Sequence, residues 1–283
     1  MIVAPERCIT PELAASLTRS LFCGFSPREK RMAIFVSFSD ETGVGNPRGK
    51  FLVSGYIARE DDWPDIANSW QRMVLDGPPR IPYLHMREIR NESWRKEHGI
   101  SFEDSQERVS RAVKLLGSLH LDSVASTVAR SHLEGIYSHF KNKKSTPVGL
   151  DEPDYACFLA YVKFAVEHVR LKYQDVDYID FVVSVNGKIT ERIKDFHKQI
   201  KLLIDPTLRP FVGDLIPATM ETRLPLQCAD ALCWHMQRFY AGTMHERDRE
   251  RFDELLGGID GDLHEWDKSD LENVLANLIE SDT

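Results

Sequence analysis

The chain has 283 residues, 42% hydrophobic and 28% charged, a balance that suits a globular protein with one sizeable core and argues against a disordered or fibrous chain. Five cysteines without CxxC spacing argue against a disulfide framework or a structural zinc, no apolar run is long enough to span a bilayer, and the N-terminus with Glu6 and Arg7 does not read as a signal peptide; a reducing cytoplasm is the expected setting. The net charge of −8 sits almost wholly at the end: residues 246–283 carry 13 acidic and 4 basic side chains, so the body is nearly neutral and its charge does not exclude a nucleic-acid partner.

Residues 1–31 read as a helical extension, with Thr10 as N-cap and Pro11 at the first helical position; Met32, directly before a strand, is a candidate alternative start. An apolar strand over 32–39 delivers Asp40 and Glu41 toward a Gly/Asn/Pro loop at 43–49, and a second strand follows near 50–58. Trp63, Ile66, Trp70 and Met73 share helical spacing and predict a helix over 61–75. The segment 81–98 reads as extended and then charged. Ser101 with Asp104 forms a capping-box pattern that opens a helix to about 117. A strand at 121–129, a loop at 141–153, a helix at 153–172, a buried strand at 178–185 and a helix at 188–203 come next. A proline-containing loop (Pro206, Pro210, Pro217) leads to a helix at Pro225, whose stripe of Leu226, Ala229, Leu232 and Cys233 is apolar. The acidic tail, 244–283, predicts two further helices, around Leu255–Leu256 and Leu271–Leu278. Hairpin strands followed by alternating strands and helices predict an α/β domain with a mixed sheet.

Three places stand out chemically. Asp40 and Glu41 lie at a strand end, where neighbouring side chains point to opposite faces, so one carboxylate faces a site and the other braces the turn. His85 and Glu88 lie in a segment with little regular periodicity, where His85 suits proton transfer or an outer-shell role. Asp230 stands on a mostly apolar helix three residues after Gln227, and a carboxylate there needs a cation, a helix N-terminus or hydrogen-bond donors.

These residues resemble the domain of unknown function 3800 family. Its opening motif, a strand ending Asp-Glu-Ser-Gly, appears here as Asp40-Glu41-Thr42-Gly43, and its closing Leu-Gln-x-Ala-Asp helix appears as Leu226-Gln227-Cys228-Ala229-Asp230. Leu84-His85-x-x-Glu88 and Tyr155-Ala156-Cys157 also look like the family's, and the resemblance spans roughly 33–242. The family is similar to the ribonuclease-H-like fold. That likeness implies a mixed central sheet flanked by helices over 32–243, with the N-terminal and C-terminal segments as helical additions. It further implies Asp40 and Asp230 as ligands of Mg²⁺ or Mn²⁺ in a nuclease, Glu41 as a further ligand or a brace, and Gln227 as a group that positions a ligand or a substrate phosphate.

One departure stands against this. Where that fold usually places a third acid, the strand Phe181–Val185 ends in Asn186-Gly187. Asn186 offers only a neutral carbonyl oxygen, and Asn-Gly is also a turn signal. The alternative reading is therefore a catalytically silent module that binds nucleic acid or a protein, with the acidic tail as a docking element. His235 and the tryptophans read as packing, Lys141–Lys144 as a solvated loop, and Arg87, Arg90, Arg95 and Lys96 as a surface salt-bridged to Glu88, Glu92 and Glu97.

Overall fold

A computed structural model describes residues 33–42, 50–129, 131–132, 153–184, 189–266 and 269, without the side chains of 153–154, 189–195, 262 and 266. The N-terminal extension, Met32, the 43–49 loop, Lys141–Lys144, Asn186 and the second tail helix lie outside the described residues.

Six strands form one mixed sheet: β1 (Ala33–Thr42), β2 (Lys50–Arg59), β3 (Asp122–Ala129), β4 (Val176–Ser184), β5 (Val212–Ala218) and β6 (Asp260–Trp266). Their order is β5-β4-β1-β2-β3-β6. β1, β2 and β3 pair antiparallel, while β4 runs parallel to β1, β5 to β4 and β6 to β3. The carboxyl ends of β1, β4 and β5 therefore lie at the same end of the sheet.

Three details differ from the expectations. First, β1 continues through the two acids: Asp40 pairs with Ser54 and Glu41 with Val53, because β2 offers backbone partners as far as Leu52. Asp40 is held in a ladder, not in a loop. Second, the proline-containing stretch before residue 225 contains β5. Pro217 is tolerated because β5 is an edge strand, with only β4 beside it among the described residues. Third, part of the expected helical tail is strand. The first tail helix stops at Gly257-Gly258, and the following Asp260–Trp266 pairs with β3 from Asp122↔Asp260 to Val128↔Trp266. Lys172 ties the two strand starts together, its Nζ 2.5 Å from Asp122 Oδ1 and 2.6 Å from Asp260 Oδ2.

Helices cover both faces. On one lie α5 (Pro153–Lys172) and α6 (Ile189–Leu203), packed on Phe35, Val53 and Phe181 through Tyr161, Phe196 and Ile200. On the other lie α1 (Trp63–Trp70), α4 (Phe102–Leu119), α7 (Pro225–Tyr240) and α8 (Glu246–Gly257), packed on Phe38, Leu52 and Tyr56. Two short helices, α2 (Met86–Ile89) and α3 (Glu92–Glu97), interrupt the segment expected to be extended; Asn91 caps α3 by accepting from the Ser93 and Trp94 amides. The box of Ser101 and Asp104 opens α4 as its spacing predicts. α1 passes into a π-helical turn over Gln71–Leu75, whose extra residue shifts the buried stripe. Met73, expected on that stripe, is 47% exposed, and Val74 and Leu75 take its place in the core. The guanidinium of Arg108, on α4, closes this turn by donating to the carbonyls of Val74, Gly77 and Pro79. No helix among the described residues is long and apolar enough to cross a membrane.

Candidate functional site

α7 lies across β1 and β2 and brings its first turns over the carboxyl end of β1. Pro225 starts the helix without needing an amide donor, and the buried stripe of Leu226, Ala229, Leu232 and Cys233 fixes its rotation. That rotation sets Asp230 against Asp40. Strand alternation does the rest: Phe38 and Asp40 face α7, whereas Ser37 and Ser39 face Tyr161 on α5. Asp40 and Asp230 are thus on the same face of the sheet, and their carboxyls are joined by a hydrogen bond.

Both carboxyls are buried, 8% and 6% exposed, and this dominates their chemistry. Burial pushes Asp40 up to about 6, against the opposing pull of the Glu41 amide, the His85 charge, the Ser184 hydroxyl and the Asp230 carboxyl. Asp230 is pushed well above the usual carboxylate range, first by burial and then by the Asp40 charge, while the Met86 amide, 2.6 Å from Oδ2, pulls the other way. The hydrogen bond favours the ionised form of Asp40 and the protonated form of Asp230. Burial and mutual proximity therefore raise both carboxyls and favour one proton shared by the pair over double ionisation.

The segment from Tyr83 to Glu88 forms the rim. His85 lies between two acids, with Nε2 3.8 Å from Asp230 Oδ1 and Nδ1 3.7 Å from Glu88 Oε2. These are ion-pair distances, longer than hydrogen bonds. Glu88 is held from its other side by the Tyr83 hydroxyl, which donates to Oε2 at 2.5 Å and whose own pKa is raised to about 12 by burial and by that bond. Ser184, at the end of β4, contributes a hydroxyl to Asp40; β4 runs parallel to β1 with Val183 beside Ser39, so the next residue of each strand is brought level. A lone serine at a strand end has no motif, and only the register identifies it.

The expected site residues thus divide. Asp40, Asp230, His85 and Glu88 come together. Glu41, the next residue of β1, is turned by alternation to the α5 side of the sheet, away from Asp230. Gln227 is fully buried: its Oε1 accepts from Trp70 Nε1 and the Leu84 amide, each at 2.9 Å, and its Nε2 donates to the Met220 carbonyl. It positions the rim segment. Asn186 lies outside the described residues, two positions beyond Ser184 in sequence. His235, one turn beyond Asp230, is buried, donates from Nδ1 to the Ala231 carbonyl at 2.7 Å and is pushed down to about 4 by burial, so it is a neutral packed residue.

Among the described residues, no group of three or more His, Cys, Asp or Glu side chains is arranged to hold a metal ion. The donor set at this site is the two facing carboxyls, oxygen ligands suited to a hard divalent cation that keeps several of its waters.

No family model matches the chain, and no curated protein matches it. Among solved structures the chain is similar to one from the PCNA:RNase HII complex of Archaeoglobus fulgidus, with 15% identity, a TM-score of 0.34, and coverage of 87% of this chain and 89% of that chain. At that identity and TM-score the likeness assigns no activity to this chain.

Proposed function

We propose that this chain is a ribonuclease-H-like, divalent-metal-dependent nuclease that hydrolyses a phosphodiester bond in nucleic acid. The observation that carries the proposal is the Asp40–Asp230 pair, one acid from the first strand and one from the late helix, facing each other at the carboxyl end of the central parallel strands. Two buried acids that share a single proton are a poor arrangement in isolation and a good one around a cation. Asp40 and Asp230 would hold Mg²⁺ or Mn²⁺, which when bound activates water and stabilises the leaving oxygen in phosphodiester hydrolysis. His85, at the rim, is placed to take or give a proton; Glu88 orients it, and Gln227 fixes the segment on which both stand.

The resemblance to the domain of unknown function 3800 family, on which membership is proposed, rests on the two end motifs with the Leu84–Glu88 and Tyr155–Cys157 segments. The proposed catalytic domain, expected over 32–243, extends through β6, since α8 packs on the core and Asp260–Trp266 completes the sheet beside β3. The buried thiols of Cys228 and Cys233 suit a reducing cytoplasm.

The second reading, a silent module that binds nucleic acid or protein, is favoured by the two-carboxylate donor set. One experiment separates the two: incubation of single-stranded and duplex DNA, RNA and RNA–DNA hybrid with Mg²⁺, Mn²⁺ or EDTA, for the wild type, Asp40→Asn and Asp230→Asn. Cleavage that needs metal and is lost in both variants supports the nuclease. Cleavage that survives both refutes the site. Absence of cleavage on every substrate leaves the binding module as the better reading.

A further inference from the structure

The cations of the rim segment are not the mutually balanced surface that their sequence suggests. Arg90 pairs at 2.7 Å with Asp248 of α8 and lies over the Trp234 ring at 4.0 Å. Arg95 donates to the carbonyls of Ile89 and Arg90. Lys96 pairs with Glu92 at 2.7 Å. Glu88, the acid nearest Arg87 in sequence, is occupied by Tyr83 and His85. Among the described residues no carboxylate pairs with Arg87, and its side chain is exposed. It follows directly on Met86, whose amide binds Asp230, and lies between the two rim residues His85 and Glu88.

A free guanidinium at this place has a physical consequence. The site gathers Asp40, Asp230 and Glu88 around His85, and the negative charge they carry would repel a polyanion that approached without a countercharge. Every other cation of the segment is fixed to a protein group. A guanidinium presents its donors in a planar fork that matches two phosphate oxygens. We infer that Arg87 is a positioning residue that holds a backbone phosphate of nucleic acid next to the phosphodiester at Asp40 and Asp230. The inference rests on the nuclease reading above and adds the contact that orients the strand.

The test is fluorescence anisotropy of the full chain carrying Asp40→Asn, in Mg²⁺, with labelled single-stranded DNA, duplex DNA, RNA and RNA–DNA hybrid over a range of salt. Adding Arg87→Ala is expected to weaken binding about tenfold, with little dependence on base sequence, and to lower the slope of log K against log salt by about 0.7–0.9. Arg87→Lys is expected to restore the slope and only part of the affinity, and Lys114→Ala, on the exposed side of α4, to change neither. Binding that is equal with and without Arg87→Ala overturns this inference and leaves the nuclease reading in place. No binding of any of the four nucleic acids overturns both.

Discussion

The side-chain carbonyl of Gln227 accepts from the backbone amide of Leu84, so the helix that carries Asp230 also fixes the segment that carries His85. The same oxygen takes the Trp70 indole N–H, and the amide nitrogen reaches Met220. Gln227→Ala leaves two buried donors and one carbonyl without partners. An unsatisfied buried group costs roughly 1–3 kcal/mol, and local relaxation recovers part of that, so a loss of about 3 kcal/mol is expected in urea unfolding. Activity is expected to fall further than stability explains, because His85 loses its anchor.

Asp40 predicts a pH dependence of stability. Its folded pKa, about 6, lies above the ordinary 3.8, so the folded state holds the proton more tightly than the unfolded chain. The contribution is fully present below pH 3.8 and is lost as pH rises through 6, at most roughly 3 kcal/mol. Asp40→Asn removes this dependence and is expected to unfold at higher denaturant than the wild type at pH 8, with little difference at pH 4. Mg²⁺ or Mn²⁺ should raise the wild-type unfolding temperature at pH 8 and leave that of Asp40→Asn unchanged. Equal responses in the two proteins would remove Asp40 as a ligand.

For the rim, His85→Ala is expected to lower the cleavage rate constant 10²-fold or more if the imidazole transfers a proton. Glu88→Gln should lower it less, because the Tyr83 hydroxyl can still donate to the amide oxygen. Steady-state kinetics on whichever nucleic acid is cleaved would check both, and unchanged turnover in His85→Ala would remove His85 from the chemistry.

Arg108 is 2% exposed and serves three backbone carbonyls. Arg108→Ala is expected to destabilise the chain by roughly 2–4 kcal/mol, since the buried Val74 carbonyl and the part-buried carbonyls of Gly77 and Pro79 lose one rigid donor. Arg108→Lys should recover only part of this, because a point-like ammonium cannot reproduce the fork. Denaturant titration of the two variants would show the order.

Gly55 has no room for a side chain. A Cβ there would lie 2.3 Å from the Phe38 carbonyl oxygen and 2.5 Å from the Tyr161 hydroxyl. Gly55→Ala is expected to cost about 1–3 kcal/mol and to lower the unfolding midpoint, with the Ser37–Tyr161 hydrogen bond lost first.

What the sequence discloses follows from how local each signal is. Asp40, His85, Glu88 and Asp230 are conspicuous because each is a polar group in a context that otherwise reads as core or lacks regular periodicity, and such groups need a reason. Helix α4 is legible because its cap is written within four residues. β5 and β6 are not legible, since prolines and acidic residues mask them and only pairing with β4 and β3 makes them strands. The π turn is hidden because Met73 fits an uninterrupted helix as well as Val74 does. Ser184 and Arg87 are legible only in three dimensions: the first depends on strand register, the second on which acids its neighbours have already claimed.

The pairing of β6 with β3 sets a schedule for synthesis. β1, β2 and β3 are neighbours in sequence and can zip as they emerge, but the outer side of β3 waits for residues 260–266 to leave the ribosome. Until then the nascent protein presents an open strand edge, the place where two copies pair by mistake. Truncation before residue 260 would make that interval permanent, and such a chain is expected to form inclusion bodies although every proposed site residue is still present.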